Sequence, residues 1–230
     1  MTSAFKDFDG IALPPKNGEP DRIVWLMHGS GGRAHDMTKA LGDAIRRKFA
    51  QAAIYAPEGR IEARNGNRQH FELERHYSPR LFSHPASELT LCEMFSRQAI
   101  RQNAASCGRQ INTMLSAVQQ HHGLGDGDTV MMGYSQGGQC VLEAALARRE
   151  PVRQVISIFG NWLADMNVRA RPPVIMVSSM EDRVMPCQAM RNTLKALQAQ
   201  KVPVDFKEVA SGDHHRDWSR LALQVVPRLA

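Results

Sequence analysis

The stretch "DTVMMGYSQGGQCVLEAALARR", Asp128 to Arg149, decides how this chain is read. Its opening "DTVMMG" is an almost continuous apolar run, as a strand covered on both faces should be. From Gln136 the pattern turns helical and continues to Arg149. Between the two lies "GYSQGG", Gly133 to Gly138, a serine flanked by glycines where a strand hands over to a helix. That junction is the setting of a nucleophile elbow. Gly133 and Gly137 let two backbones approach closely around a strained serine. The hydroxyl of Ser135 then projects over the C-terminal edge of the sheet, where open α/β sheets place their ligands. The competing reading is a plain β-to-α turn with a capping serine.

Working outward, short apolar runs alternate with amphipathic stretches. Strands are predicted at Arg22–Met27, Ala52–Ala56, Asp128–Gly133, Gln154–Phe159, Pro173–Ser179 and Val204–Val209. Helical patterns cover roughly Asp36–Ala50, Gln136–Arg149, Gln188–Gln200 and His215–Leu229. The clearest helix places Ile100, Ala104, Cys107, Ile111, Met114, Leu115 and Val118 on one stripe at a period near 3.6. Such alternation means an α/β fold: a mostly parallel central sheet with helices on both faces. No proline- or glycine-rich linker divides the chain, so residues 1–230 are expected to form a single compact domain. The exception is Pro57 to Met94, long, polar and aperiodic. A segment of that length is often functional, and it is expected to hold some short structure.

Composition narrows the classes. The 230 residues are 43% hydrophobic and 23% charged, with no low-complexity tract or repeat. No apolar run is long enough to cross a bilayer, and "MTSAFKDFDGIALPP" at the start lacks the apolar segment of a secretory leader. Stable membrane insertion is not expected. The four cysteines, Cys92, Cys107, Cys140 and Cys187, show no CxxC spacing, and reduced cytoplasmic thiols are the simplest reading. A net charge of +6 is carried by dispersed basic residues without aromatic interleaving, which argues against nucleic acid as a partner. A homodimer stays open.

A serine hydroxyl is a poor nucleophile at neutral pH; it needs a histidine to take its proton and a carboxylate to orient that histidine. In an elbow fold the chain order is serine, acid, histidine, with the last two following later strands. After "PVIMVSS" comes "MEDRVMP", offering Glu181 and Asp182. After "VDFKEV" comes "ASGDHHRDW", offering His214 and His215. The oxyanion of a tetrahedral intermediate also needs backbone N–H donors. One is expected from Gln136, next to the nucleophile. The other is expected from Ser30 in "MHGSGG" (Met27–Gly32), a loop that follows an early strand and lacks both the Walker lysine and GxGxxG spacing.

From about Arg22 onward the sequence resembles the phospholipase/carboxylesterase family of α/β-hydrolases, small serine esterases that include acyl-protein thioesterases. "MHGSGG" stands where that family has His-Gly-Leu-Gly, and "GNRQHF" resembles its Gly-x-Arg-Gln-Trp-Phe stretch. "GYSQGG" is similar to its Gly-Phe-Ser-Gln-Gly-Gly elbow at nearly every position. "SSMEDRVMP" resembles His-Gly-x-x-Asp-x-Val-Val-Pro, which puts the family's acid on Asp182. "VDFKEVASGDH" resembles the strand that ends at the family's histidine, which puts that role on His214. The departures are Ser178-Ser179 for His-Gly, His70 for tryptophan, a doubled His214-His215, and Ser30 for leucine.

The resemblance implies an α/β-hydrolase fold and acyl transfer to water without a cofactor: Ser135 attacks a small-molecule ester or thioester, His214 takes the proton and Asp182 orients it. Lysophospholipase or dienelactone-type hydrolysis shares that chemistry. A non-catalytic binding protein on the same scaffold would more often have lost one of the three groups. The stretch Arg68 to Tyr77 in the long segment is expected to form one wall of the pocket, with Arg68, His70, Phe71 and Tyr77 contacting substrate, because loops over a rigid scaffold usually select it. The equal alternative is that Arg68 and Gln69 pin the loop by hydrogen bonds. Other residues have plainer readings. No second ligand set accompanies "DHHRD" (Asp213–Asp217), so no metal is expected there. His28 reads as a hydrogen-bonded structural histidine, Cys140 as a core thiol, and His121-His122 as cations at a helix C-terminus.

Overall fold

A computed structural model describes residues 8–63, 66–73, 77–162 and 168–230. Seven strands form one sheet: β1 (Gly10–Leu13), β2 (Arg22–Met27), β3 (Ala52–Pro57), β6 (Thr129–Tyr134), β7 (Gln154–Ile158), β8 (Val174–Ser179) and β9 (Val204–Val209). Their spatial order is β1-β3-β2-β6-β7-β8-β9. All neighbours are parallel except β1, which runs antiparallel to β3 at the edge. Strands β3, β6, β7 and β8 are buried at every position. That is why they appear in the sequence as unbroken apolar runs. The short edge strand β1 alternates between exposed and half-buried residues and left no such run.

The connections fix where ligands can sit. From β2 the chain goes through α1 (Ala34–Lys48) to β3 on one side, whereas from β6 it goes through α4 (Gln136–Leu146) to β7 on the other. Right-handed crossovers in opposite directions put α1 on one face and α4 on the other. The C-terminal ends of β2 and β6 are paired neighbours, with Met27 opposite Gly133, so a crevice opens between them at the switch in direction. The loop after β2 and the turn after β6 both empty into it.

Helix α3 (Leu91–His122) starts on a reciprocal Thr90–Glu93 capping box and ends at Gly123, whose φ of 66° is left-handed. Its buried stripe holds Ile100, Ala104, Cys107, Ile111, Leu115 and Val118; Met114 is only partly buried. The helix begins well before that stripe, with Leu91 and Phe95 each 68% exposed. A first turn and a half with no core-facing pattern carries no periodic signal, and the sequence reading placed this part in the long loop. The rest of that segment holds a two-stranded hairpin, β4 (Ile61–Glu62) with β5 (Arg68–Gln69), and a single turn of helix, α2 (Arg80–Ser83). Helix α5 (Cys187–Ala199) packs on β8 and β9, and α6 (Trp218–Val225) returns to pack against α1. The last helix is shorter than its pattern suggested, because Pro227 converts its end to a 3-10 turn. Among the described residues no helix is long and apolar enough to cross a membrane.

Candidate active site

The turn after β6 is built from close backbone contact. A Cβ on Gly133 would lie 2.2 Å from the Gly137 oxygen, and one on Gly137 would lie 2.3 Å from the Met27 oxygen. Only glycine fits at either place, so β2, β6 and the first turn of α4 pack with nothing between them. Ser135 occupies the bend at φ 52° and ψ −120°, a backbone region that costs a non-glycine residue about 1–3 kcal/mol. The expected elbow is present, and the serine is not a helix cap: its side chain accepts no bond from the helix.

The hydroxyl finds another partner. Ser135 Oγ lies 2.9 Å from His214 Nε2, and His214 Nδ1 lies 2.7 Å from Asp182 Oδ2. With the Nδ1 proton donated to the carboxylate, Nε2 carries the lone pair that accepts the serine hydroxyl. Asp182 Oδ1 is held in turn by the backbone N–H groups of Val184 and Met185, at 2.8 Å each. The side chains of Asp182 and His214 are buried, and Ser135 is half-exposed to a cleft. Phe159 stacks on the imidazole with ring centres 5.2 Å apart, and the Tyr134 hydroxyl donates to the His214 carbonyl at 2.7 Å. The doubled histidine thus resolves into unlike neighbours, since His215 is exposed. Glu181, the other acid the sequence offered, is exposed as well.

The amides around the serine sort themselves by what they already bond. Gly31 N–H donates to the Arg68 carbonyl, Gly32 N–H to Gly29, and Ser135 N–H to Ile158. Gln136 opens α4, so its amide has no acceptor within the helix. Ser30 borders the same cleft, and among the described residues no acceptor takes its N–H. These two are the amides the sequence singled out.

Of the residues expected along the wall, Tyr77 lines the cleft over Ser135, whereas Arg68, His70 and Phe71 do not. Arg68 and Gly31 join hairpin and loop through main chain. His70 donates from Nε2 to the His28 carbonyl at 3.0 Å. Its N–H and the Phe71 carbonyl are clamped by the Gln136 side-chain amide, at 2.7 and 2.8 Å. The hairpin turns this stretch down against the elbow, so it braces the loop carrying Ser30. His28 completes the brace, accepting from Gly59 N–H at Nε2 and facing the Gly29 carbonyl with Nδ1. Burial lowers the pKa of both His28 and His70, which keeps this closely packed, tilted pair neutral.

The cleft itself holds about 380 Å³. Its wall comes from further along the long segment, at Leu73, Tyr77 and Phe82, facing Val184 and Met185 beside the acid. The Tyr77 hydroxyl donates to the Val184 carbonyl and ties the two walls together. Glu74, Arg75 and His76 lie outside the described residues. Gln139 and Asn161 complete the floor. Sequence reasoning named Tyr77 and this segment as a wall but not Leu73, Phe82, Val184, Met185, Gln139 or Asn161, although Gln139, one helical turn after Ser135, could have been found from spacing alone. The "DHHRD" run serves the backbone: Asp213 Oδ1 accepts from His215 and Arg216 N–H, and Asp217 Oδ2 from Asp213 N–H.

The sequence profile of the Phospholipase/Carboxylesterase family matches residues 89–225, which carry the serine, the acid and the histidine. The chain belongs to that family. Its likeness to solved structures agrees at the level of fold. Esterase PE8 superposes with a TM-score of 0.80 at 22% identity, covering 96% of this chain and 99% of its own. SOBER1 of Arabidopsis thaliana gives 0.70 at 14%, covering 90% and 98%. The Bacillus cereus carboxylesterase gives 0.69 at 13%, covering 96% and 93%. Among curated proteins no sequence matches. Membership in this family makes the chain a hydrolase of the α/β-hydrolase type.

Proposed function

We propose that this hydrolase cleaves small carboxylic esters or thioesters through a covalent acyl-enzyme on Ser135. The observation that carries the reading is the unbroken chain from Ser135 Oγ through the His214 ring to Asp182, on a serine held at positive φ. Ser135 Oγ attacks the carbonyl carbon as its proton passes to His214 Nε2. Asp182 keeps the imidazole in the right tautomer and stabilises its charged form. The carbonyl oxygen becomes an oxyanion, which the Ser30 and Gln136 amides receive. Collapse of this intermediate expels the alcohol or thiol, which takes the proton from His214. Water then enters, gives its proton to the same nitrogen and attacks the acyl carbon, releasing the acid and restoring Ser135. The half-exposed serine supports entry of water for this second step.

A fluorophosphonate probe tests the reading. It should label Ser135, and Ser135→Ala should lose the label with a fall in kcat of at least about a thousandfold. The melting temperature should stay within a few degrees of wild type. Ester hydrolysis surviving in Ser135→Ala would overturn the mechanism.

A further inference from the structure

The floor of the cleft has hydrogen-bonding capacity that the described residues leave unused. Gln139 and Asn161 line it, at 3% and 1% exposure. Gln139 Nε2 and Asn161 Oδ1 are buried with no hydrogen-bond partner among the described residues. Behind them, the Trp162 indole N–H faces the Glu143 carboxyl, so that pair serves itself. These four residues come from one place: Gln139 and Glu143 share a face of α4 one turn apart, and Asn161 and Trp162 follow β7. A buried polar group without a partner is costly, and a fold retains two together only where something else completes them. The unused pair is mixed, the Gln139 amide N–H to donate and the Asn161 amide oxygen to accept. A hydroxyl, which both gives and takes a hydrogen bond, is the small group that matches it.

The position relative to Ser135 says which part of a substrate would carry that hydroxyl. Gln139 lies four residues after Ser135, about 6 Å along the helix, and helical side chains lean back toward the N-terminus. Its amide therefore lies on the Ser135 side of the helix, in the same cleft, where a substituent near the reacting carbonyl would meet it. Helix α4 is buried along its whole length, so a group directed this way points into the protein. The alcohol or thiol must leave before water attacks, whereas the acyl chain stays bound through both steps. An inward pit suits the part that stays.

We infer that Gln139 and Asn161 select acyl groups bearing a hydroxyl near the carbonyl, such as 3-hydroxyacyl esters. This rests on the acyl-enzyme reading above. Gln139 donates to the hydroxyl oxygen and Asn161 accepts its proton, which makes both specificity-determining residues.

The test compares p-nitrophenyl butyrate with p-nitrophenyl 3-hydroxybutyrate. Wild type should favour the hydroxy ester by at least about tenfold in kcat/KM, since a site built to bond a hydroxyl rejects the analogue lacking it. Gln139→Met and Asn161→Leu should bring that ratio to within about twofold of unity while Ser135 still reacts with fluorophosphonate. A merely structural role would lower both rates together and leave the ratio alone. A wild-type ratio near unity would overturn the inference and mean that ordered water fills the pit. So would a preference seen only when the hydroxyl is placed in the leaving alcohol. Binding separates this failure from failure of the nucleophile. In Ser135→Ala, 3-hydroxybutyrate should raise the melting temperature more than butyrate does, whether or not the serine is ever acylated, and equal shifts would count against the pit.

Discussion

The Gln136 side chain offers a sharp test, because its amide and its backbone N–H have separate duties in one residue. The side chain is 2% exposed, accepts from His70 N–H at 2.7 Å and donates to the Phe71 carbonyl at 2.8 Å. Gln136→Met keeps the length and volume and removes both bonds, stranding one main-chain donor and one acceptor in the interior. Each orphaned group costs about 1–3 kcal/mol, and partial relaxation of the stretch brings the sum to roughly 2–4 kcal/mol. For a chain of this size that corresponds to a fall in melting temperature of about 5–15 °C. The backbone amide proposed to meet the oxyanion is untouched by the substitution. The released stretch, however, includes the His70 bond to the His28 carbonyl, next to the Ser30 loop. Activity should therefore fall through kcat, by about tenfold or more, with fluorophosphonate labelling slowed and KM little changed. Calorimetry and steady-state kinetics on the same preparation measure both effects. A melting temperature within 2 °C of wild type would show that the clamp does not brace the elbow, and unchanged kcat with lowered stability would separate the clamp from the oxyanion loop.

Other substitutions follow from the same geometry. His214→Ala should behave like Ser135→Ala, and Asp182→Asn should lower kcat strongly by disturbing the imidazole, whereas exposed His215→Ala should keep most activity; reversed histidine phenotypes would displace the assignment by one residue. Phe71→Ala, at a buried and clamped position, should lose about 3–5 kcal/mol of stability and weaken turnover of every ester alike, whereas a changed ranking of chain lengths would restore Phe71 to the pocket. Leu73→Trp should narrow the cleft and shift preference toward short acyl chains by about tenfold or more in kcat/KM, and an unaltered ranking would remove Leu73 from the wall. Burial pushes the Glu143 carboxyl up to about 7 from 4.5. Between those values the folded chain holds a proton that the unfolded chain has released, so this group costs stability increasingly as pH rises through the window. The cost is on the order of 3 kcal/mol above pH 7. Glu143→Gln should accordingly gain melting temperature over wild type at pH 8 and little at pH 5, and a difference independent of pH would contradict the burial argument.

What the sequence made legible was whatever had to be continuous along the chain. Strands buried on both faces are apolar at every position, so β6 and β8 stood out, whereas β1, alternating at an edge, did not. Ser135, Asp182 and His214, which the structure brings within hydrogen-bond reach of one another, could be singled out because an elbow restricts each to the end of a particular strand. The choices of Asp182 over Glu181 and of His214 over His215 needed more. Burial separates each pair in space, and no periodicity distinguishes adjacent residues in a turn.

The segment after β3 shows why only part of its cleft wall could be read in advance. Composition marks Arg68, His70 and Phe71 as sticky residues near a site, and that much is true. Their direction depends on the short β4–β5 hairpin, whose two residue pairs leave no alternating pattern. Once the hairpin forms, the residues packed against the Ser30 loop are used up in holding it. The wall then falls to Leu73, Tyr77 and Phe82, beyond the brace, where the chain crosses over the cleft to meet the acid loop. The same segment thus braces the elbow and shapes the cleft over Ser135. Changes before Phe71 should act on all substrates, and changes after it should act on some.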